Sequence, residues 1–238
     1  MSGVKLKTGA RRLMFDNAPK LFLVSIVFII IVAVFSELQF RLPGTLATYD
    51  LILERLRLGE IPNMAALYSR FRPPGAALAF VLLLLKPVVE AGYISYCMKI
   101  TRGQPGEFRD IMNGFQHFTK VLSIAIISAV FIALWSLLFF FPGIVASYRY
   151  RQAYYILLDD PDKSAMQCIR ESKWIMAGNK VDLFLVDLSF IGWVILDFLV
   201  VLLIPTPFSV PIVSIWMTPY MGLTHAAFYE RLLSRMIV

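Results

Sequence analysis

Long apolar stretches alternate along this chain with short polar or proline-rich joints. Leu21 to Phe35 is apolar apart from Ser25, Val121 to Phe141 carries no charge, and Val181 to Ile204 is apolar apart from a few acids. A bilayer core needs about 20 apolar residues in helical form. The pattern predicts an all-α polytopic membrane protein of about six transmembrane helices, near 21–40, 76–97, 121–141, 143–158, 181–204 and 212–228. Pro43-Gly44, Pro142-Gly143 and the group Pro205, Pro207 and Pro211 close the spans into three hairpins. Lys20, Lys120 and Lys180 each precede a span, so three hairpins of one orientation read as parallel repeats. Any set of proline-closed hairpins gives a similar pattern. Gly143–Leu158 is the shortest span, and a five-span arrangement with that stretch lying flat competes with the six-span one.

Between the fourth and fifth spans the period changes. Ala165, Cys168, Ile169, Ser172, Ile175 and Met176 recur at i, i+3, i+4 spacing, with Lys163, Gln167, Arg170 and Glu171 opposite. This predicts an amphipathic helix over 162–177, capped by Asp160 with Pro161 at its first position and stopped by Gly178. It is too short and too charged to cross, so it belongs on the cytoplasmic interface. The segment 1–20 is basic, with Lys5, Lys7, Arg11, Arg12 and Lys20 against Asp16, and enough apolar residues to lie along a membrane surface. Residues 21–238 then form a single membrane domain. Thr45 to Pro74 is the longest polar stretch on the outer side and carries one short surface helix.

Composition agrees with the pattern. Hydrophobic residues make up 58% of the 238 and charged residues 16%, against about a quarter charged in soluble domains. Mean hydropathy is +0.71. The net charge of +7 reads as short basic loops that set orientation and meet anionic lipid at the cytoplasmic face, not as a nucleic-acid surface. Both termini are then cytoplasmic. Cys97 and Cys168 lack metal or CxxC spacing and read as free thiols.

The costly residues are the charges inside spans: Lys86, Glu90, Arg149, Arg151, Asp187 and Asp197. Each costs about 2.5–3.5 kcal/mol to insert, so such groups face protein and pair. Lys86 and Glu90 are spaced i,i+4 about Pro87, which predicts one helix face with a kink. Arg149 or Arg151 is expected to pair with Asp187 or Asp197. This pairing either locks helices together or lines a polar cavity, and the alternative is that the arginines snorkel to an interface. The tyrosines of SYRYRQAYY read as an interfacial belt. His117 and His225 have no second ligand at metal spacing, and no cofactor is expected. HExxH, GxSxG and P-loop motifs are absent. Asp187 and Asp197 are about 15 Å apart along a helix, too far to share a proton.

The stretches PGIVASYRYRQAYYILLDDP, SKWIMAGNK and LFLVDLSFIGW, with LKTGARRL near the N-terminus, resemble a bacterial multi-pass integral membrane family. It is catalogued as domain of unknown function nine-seven-five. The resemblance spans nearly the whole chain. It implies a plasma-membrane protein of about six spans, distantly similar to membrane domains attached to some glycerophosphodiesterases, and implies no activity or site residues. The expected function is a non-catalytic accessory, scaffold or envelope-homeostasis protein. It would act through a protein partner or a second copy of itself, with the 162–177 helix as docking surface. A small transporter or channel is the alternative, followed by an intramembrane lipid-handling enzyme.

Overall fold

The computed structural model describes residues 3–61, 72–203 and 213–236, and these fold without strands. In chain order the helices are α1 Gly3–Asp16, α2 Lys20–Arg41, α3 Thr45–Arg57 and α4 Pro73–Thr101. A 3-10 turn Phe108–Met112 and the single turn α5 Asn113–Gln116 lead into α6 Phe118–Leu138. Then come α7 Phe140–Tyr150, α8 Ala153–Asp159, α9 Ala165–Ile175, α10 Lys180–Leu188, α11 Ile191–Leu203 and α12 Ser214–Met236. The proline turn at 205–211 and the start of the expected sixth span at Ile212 lie outside the described residues.

Among the described residues, four helices are long and apolar enough to cross a membrane. They are Lys20–Arg41, Pro73–Thr101, Phe118–Leu138 and Lys180–Val200, the last made of α10 and most of α11. Their exposed surface is apolar: Val130, Leu134, Leu137 and Leu138 on α6 and Val194, Ile195 and Phe198 on α11 all face outward. Such a surface is stable in hydrocarbon and costly in water.

The other two expected spans differ from these four. Gly143–Leu158 is not one continuous helix. It is divided between α7 and α8, and Phe140 starts the helix, so Pro142 lies in its first turn, where a missing N–H costs nothing. Phe139, a single extended residue, joins α6 to α7. The hairpin is so tight that a Cβ on Gly143 would lie 2.0 Å from Ser136 Oγ. α12 is long enough but polar, with Thr218, Thr224, His225, Glu230 and Arg231. The consecutive residues Leu223, Thr224, His225 and Ala226 are all buried, so at that level the helix is surrounded by protein.

The residue contacts divide the chain into two units, Met1–Ile29 with Pro87–Val238, and Ile30–Lys86. In the smaller unit α3 follows the left-handed Gly44, the N–H of Arg72 donates to the carbonyl of Pro43, and Leu51, Ala79 and Leu82 are buried. In the larger unit α1 does not rest freely on a surface. Leu6, Ala10 and Met14 are buried, and the helix packs along α12, with Phe15 edge-on to Trp216. Lys7 donates to Ser189 Oγ at 2.9 Å and lies 4.1 Å from the Phe190 ring centre. Burial lowers its pKa below the ordinary ammonium value.

α9 forms where the period placed it, but its cap is different. Ser164 is the N-cap, and it exchanges hydrogen bonds with Gln167 in a capping box. Asp160 instead ends α8 and accepts from the N–H of Asp162. Gly178, at φ 79°, makes the left-handed turn that sends the chain into α10.

Candidate functional site

Two of the charged residues inside the larger unit, Arg151 and Asp187, meet at a break in the backbone. Between α7 and α8 the chain leaves the helical hydrogen-bond ladder at Arg151 and Gln152. The hydroxyl of Ser172, on α9, enters that gap. It donates to the carbonyl of Arg149 at 2.8 Å and accepts the N–H of Gln152 at 3.2 Å. A side chain inserted into the ladder is a recognised cause of such bends. It also satisfies two backbone groups that would otherwise be buried without partners.

The break turns Arg151 toward α10 and α12. Its guanidinium donates to Oδ2 of Asp187, which also accepts the hydroxyl of Tyr148 at 2.9 Å. Oδ1 of Asp187 lies 2.8 Å from Nε2 of His225 on α12. With the carboxylate ionised, Nε2 is the protonated nitrogen. Side-chain exposure falls from 37% for Arg151 to 19% for Asp187 and 11% for His225, so the cluster closes toward α12. Both oxygens of the carboxylate are taken up by donors from α7, the break and α12. The arrangement cross-links three elements, and each donor satisfies an acceptor that burial would otherwise penalise.

The six charges singled out in the sequence therefore separate. Arg151 and Asp187 meet. Arg149 lies on another side of α7, lining a cleft with α9, and its Nε is buried without a hydrogen-bond partner among the described residues. Asp197 caps the start of α12, accepting the N–H of Val213 at 3.1 Å and the hydroxyl of Ser214 at 2.8 Å. Lys86 and Glu90 both lie on α4, with Pro87 inside an uninterrupted helix. Tyr150 and Tyr155 are buried, and Tyr155 packs on Tyr229 with ring centres 5.3 Å apart, so these tyrosines turn inward and do not form a belt.

Sequence reasoning missed Tyr148, Ser172 and His225 as members of this site. The available signals were Ser172 inside the apolar stripe of α9 and the polar run Thr224-His225 inside a stretch expected to face lipid. Among the described residues no group of three or more His, Cys, Asp or Glu could hold a metal ion, and Cys97 and Cys168 are separate buried thiols.

A second network gathers the helix ends. Arg102, just beyond α4, pairs with Asp159 at 2.8 Å and Glu230 at 2.7 Å, and Tyr229 donates to Asp159 at 3.2 Å. Arg231 pairs with Asp182 at 2.7 Å. The C-termini of α4, α8 and α12 and the N-terminus of α10 therefore share one end of this unit.

Residues 139–236 match the family model described as Protein of unknown function (DUF975). That stretch is similar to this family and covers less than half of the chain. The match includes the break, the Asp187 cluster and α9, but not the N-terminal LKTGARRL, so it is narrower than the whole-chain resemblance expected above. Nothing among the curated proteins or the solved structures matches the chain.

Proposed function

We propose that this is a non-catalytic accessory or scaffold protein of a bacterial plasma membrane, acting through a partner protein or a second copy of itself. Six membrane-crossing segments in three hairpins fit this reading. The four apolar helices supply four of them. α7 and α8 together supply a broken fifth, with 20 residues from Phe140 to Asp159, and α12 supplies a protein-enclosed sixth. Broken or polar helices are tolerated at membrane depth where protein surrounds them. The gathered helix ends at Arg102, Asp159, Asp182 and Glu230 fit the common cytoplasmic end, with both termini on that side.

The observation that carries the reading is the way the internal charges are spent. A transport path needs charges along one continuous polar cavity. Here Arg151 is paired with Asp187, Asp197 caps a helix, and Arg149 faces a separate cleft.

Native mass spectrometry of the chain extracted from its own membrane in polymer nanodiscs tests the role. A reproducible protein partner or homo-oligomer is expected. A lone chain holding a defined water-soluble solute would overturn the accessory role in favour of transport. Topology has its own check. A cysteine at Ser209, outside the described residues, is expected to react with an impermeant thiol reagent from outside only. Labelling from inside alone would rule out six spans.

A further inference from the structure

The cleft beside α9 has a chemistry that the accessory role does not use. Its volume is about 750 Å³, and its walls come from the last turn of α7, the polar side of α9 and the start of α10. Five cations line it, Arg149, Lys163, Arg170, Lys173 and Lys180, against the single carboxylate Glu171. Glu171 is already neutralised, because Lys163 binds it at 2.8 Å. That bond holds the Lys163 pKa above the ordinary value. Among the described residues, the side chains of Arg149, Arg170, Lys173 and Lys180 have no ion-pair or hydrogen-bond partner. Four unpaired cations around one cleft repel one another at close range, and an anion seated between them would relieve that repulsion.

We propose that this cleft binds the phosphate group of an anionic lipid headgroup. Arginine supplies planar, two-pronged donors suited to phosphate, and lysine adds point charge. The surroundings favour a lipid as the source of the phosphate. Four residues before Arg149, on the same face of α7, Val145 is exposed. Four residues after Lys180, on the same face of α10, Phe184 is exposed. Val181 beside it is exposed as well. A cationic recess continued by apolar helix faces on both walls matches a molecule with a charged head and acyl tails. Trp174, largely exposed at the cleft, is the residue type that settles at headgroup depth. A headgroup here would be held between α7, α9 and α10, close to the break at Arg151 and Gln152.

This inference rests on the membrane placement proposed above, and the test separates the two. The full chain is first incorporated into zwitterionic phosphatidylcholine nanodiscs. Failure to give a single monodisperse species would count against the membrane placement itself. Native mass spectrometry from detergent then compares retention of short-chain phosphatidylglycerol, short-chain phosphatidylcholine and inorganic phosphate. Phosphatidylglycerol is expected to be retained preferentially, with one high-affinity equivalent. Each Lys or Arg near an anionic surface strengthens association about fivefold, so Arg170→Gln with Lys173→Gln is expected to weaken retention about thirtyfold. Both residues are exposed and unpaired, so the thermal midpoint is expected not to move. Equal retention of the two lipids, or wild-type retention by the double variant, overturns the site. Inorganic phosphate displacing phosphatidylglycerol at comparable concentration overturns the headgroup assignment and leaves a soluble phosphate as the ligand.

Discussion

Asp187 is the point at which the proposed lock can be broken and its strength measured. Its carboxylate accepts from Arg151, from Tyr148 at 2.9 Å and from His225 at 2.8 Å. Asp187→Asn keeps the shape but removes the charge, and it turns one acceptor oxygen into a donor facing other donors. A hydrogen bond to a charged group contributes about 1.5–3 kcal/mol and a neutral one about 1 kcal/mol. Removing one partner of a fully buried pair costs about 3–5 kcal/mol. Arg151 keeps 37% exposure and can recover some hydration, so Asp187→Asn is expected to cost about 3 kcal/mol and Arg151→Gln about 2 kcal/mol. Much of each cost is the other group left unpaired, so the double variant is expected to lose about 3 kcal/mol, a coupling near 2 kcal/mol. The assay is reversible unfolding in mixed micelles as the denaturing detergent fraction rises. Arg149→Gln with Asp187→Asn serves as the control and is expected to be additive within about 0.5 kcal/mol, because Arg149 faces the cleft. Additivity of the Arg151 and Asp187 changes within that margin would refute the lock.

Four other substitutions probe the frame around it in the same assay. Ser172→Ala leaves the Arg149 carbonyl and the Gln152 N–H without their shared partner at a fully buried position, and a loss of about 2–4 kcal/mol is expected. Gly92→Ala would place a Cβ 1.8 Å from the carbonyl oxygen of Ile111, so the chain is expected not to fold. Gly9→Ala, where an added Cβ meets nothing within 4 Å, is expected to raise stability by about 0.5–1 kcal/mol through helix propensity. Lys7→Met keeps the apolar stem but loses the bond to Ser189 and the charge over Phe190, and is expected to cost about 1 kcal/mol, with α1 more open to protease.

The helical class, four helices long and apolar enough to cross a membrane, and the amphipathic α9 were legible because each rests on the period or length of an apolar pattern. Such patterns arise wherever one side of a helix meets a different medium from the other. The same logic explains the misplaced cap. Asp160-Pro161 carries a valid start signal, but Ser164 and Gln167 form the reciprocal capping box, and the helix begins there. The partner of Asp187 was half legible. Two arginines two residues apart point to different faces of a helix, so one was bound to miss the acid. Which one missed depended on where the helix broke, and no glycine or internal proline marks Arg151 and Gln152 as the place.

That break explains a residue that the amphipathic pattern left anomalous. Ser172 falls in the apolar stripe of α9, among Cys168, Ile169 and Ile175, and it is fully buried there. A serine on a buried face needs a hydrogen-bond partner, and here the hydroxyl finds it outside its own helix. Its partners are the two backbone groups exposed where α7 gives way to α8, so the hydroxyl and the broken helix each require the other. The polarity of α12 has a related origin. Thr224 and His225 would be expensive against lipid, but His225 is enclosed by the elements that deliver Asp187 and Arg151. In both places the hydropathy of a segment reports only the solvent it would need if it stood alone. A polar residue inside an apolar stripe therefore marks where another element must approach. In this chain the marks at Ser172 and His225 both meet the same arginine turn, Ser172 at its backbone and His225 beside the Arg151 guanidinium and its partner Asp187.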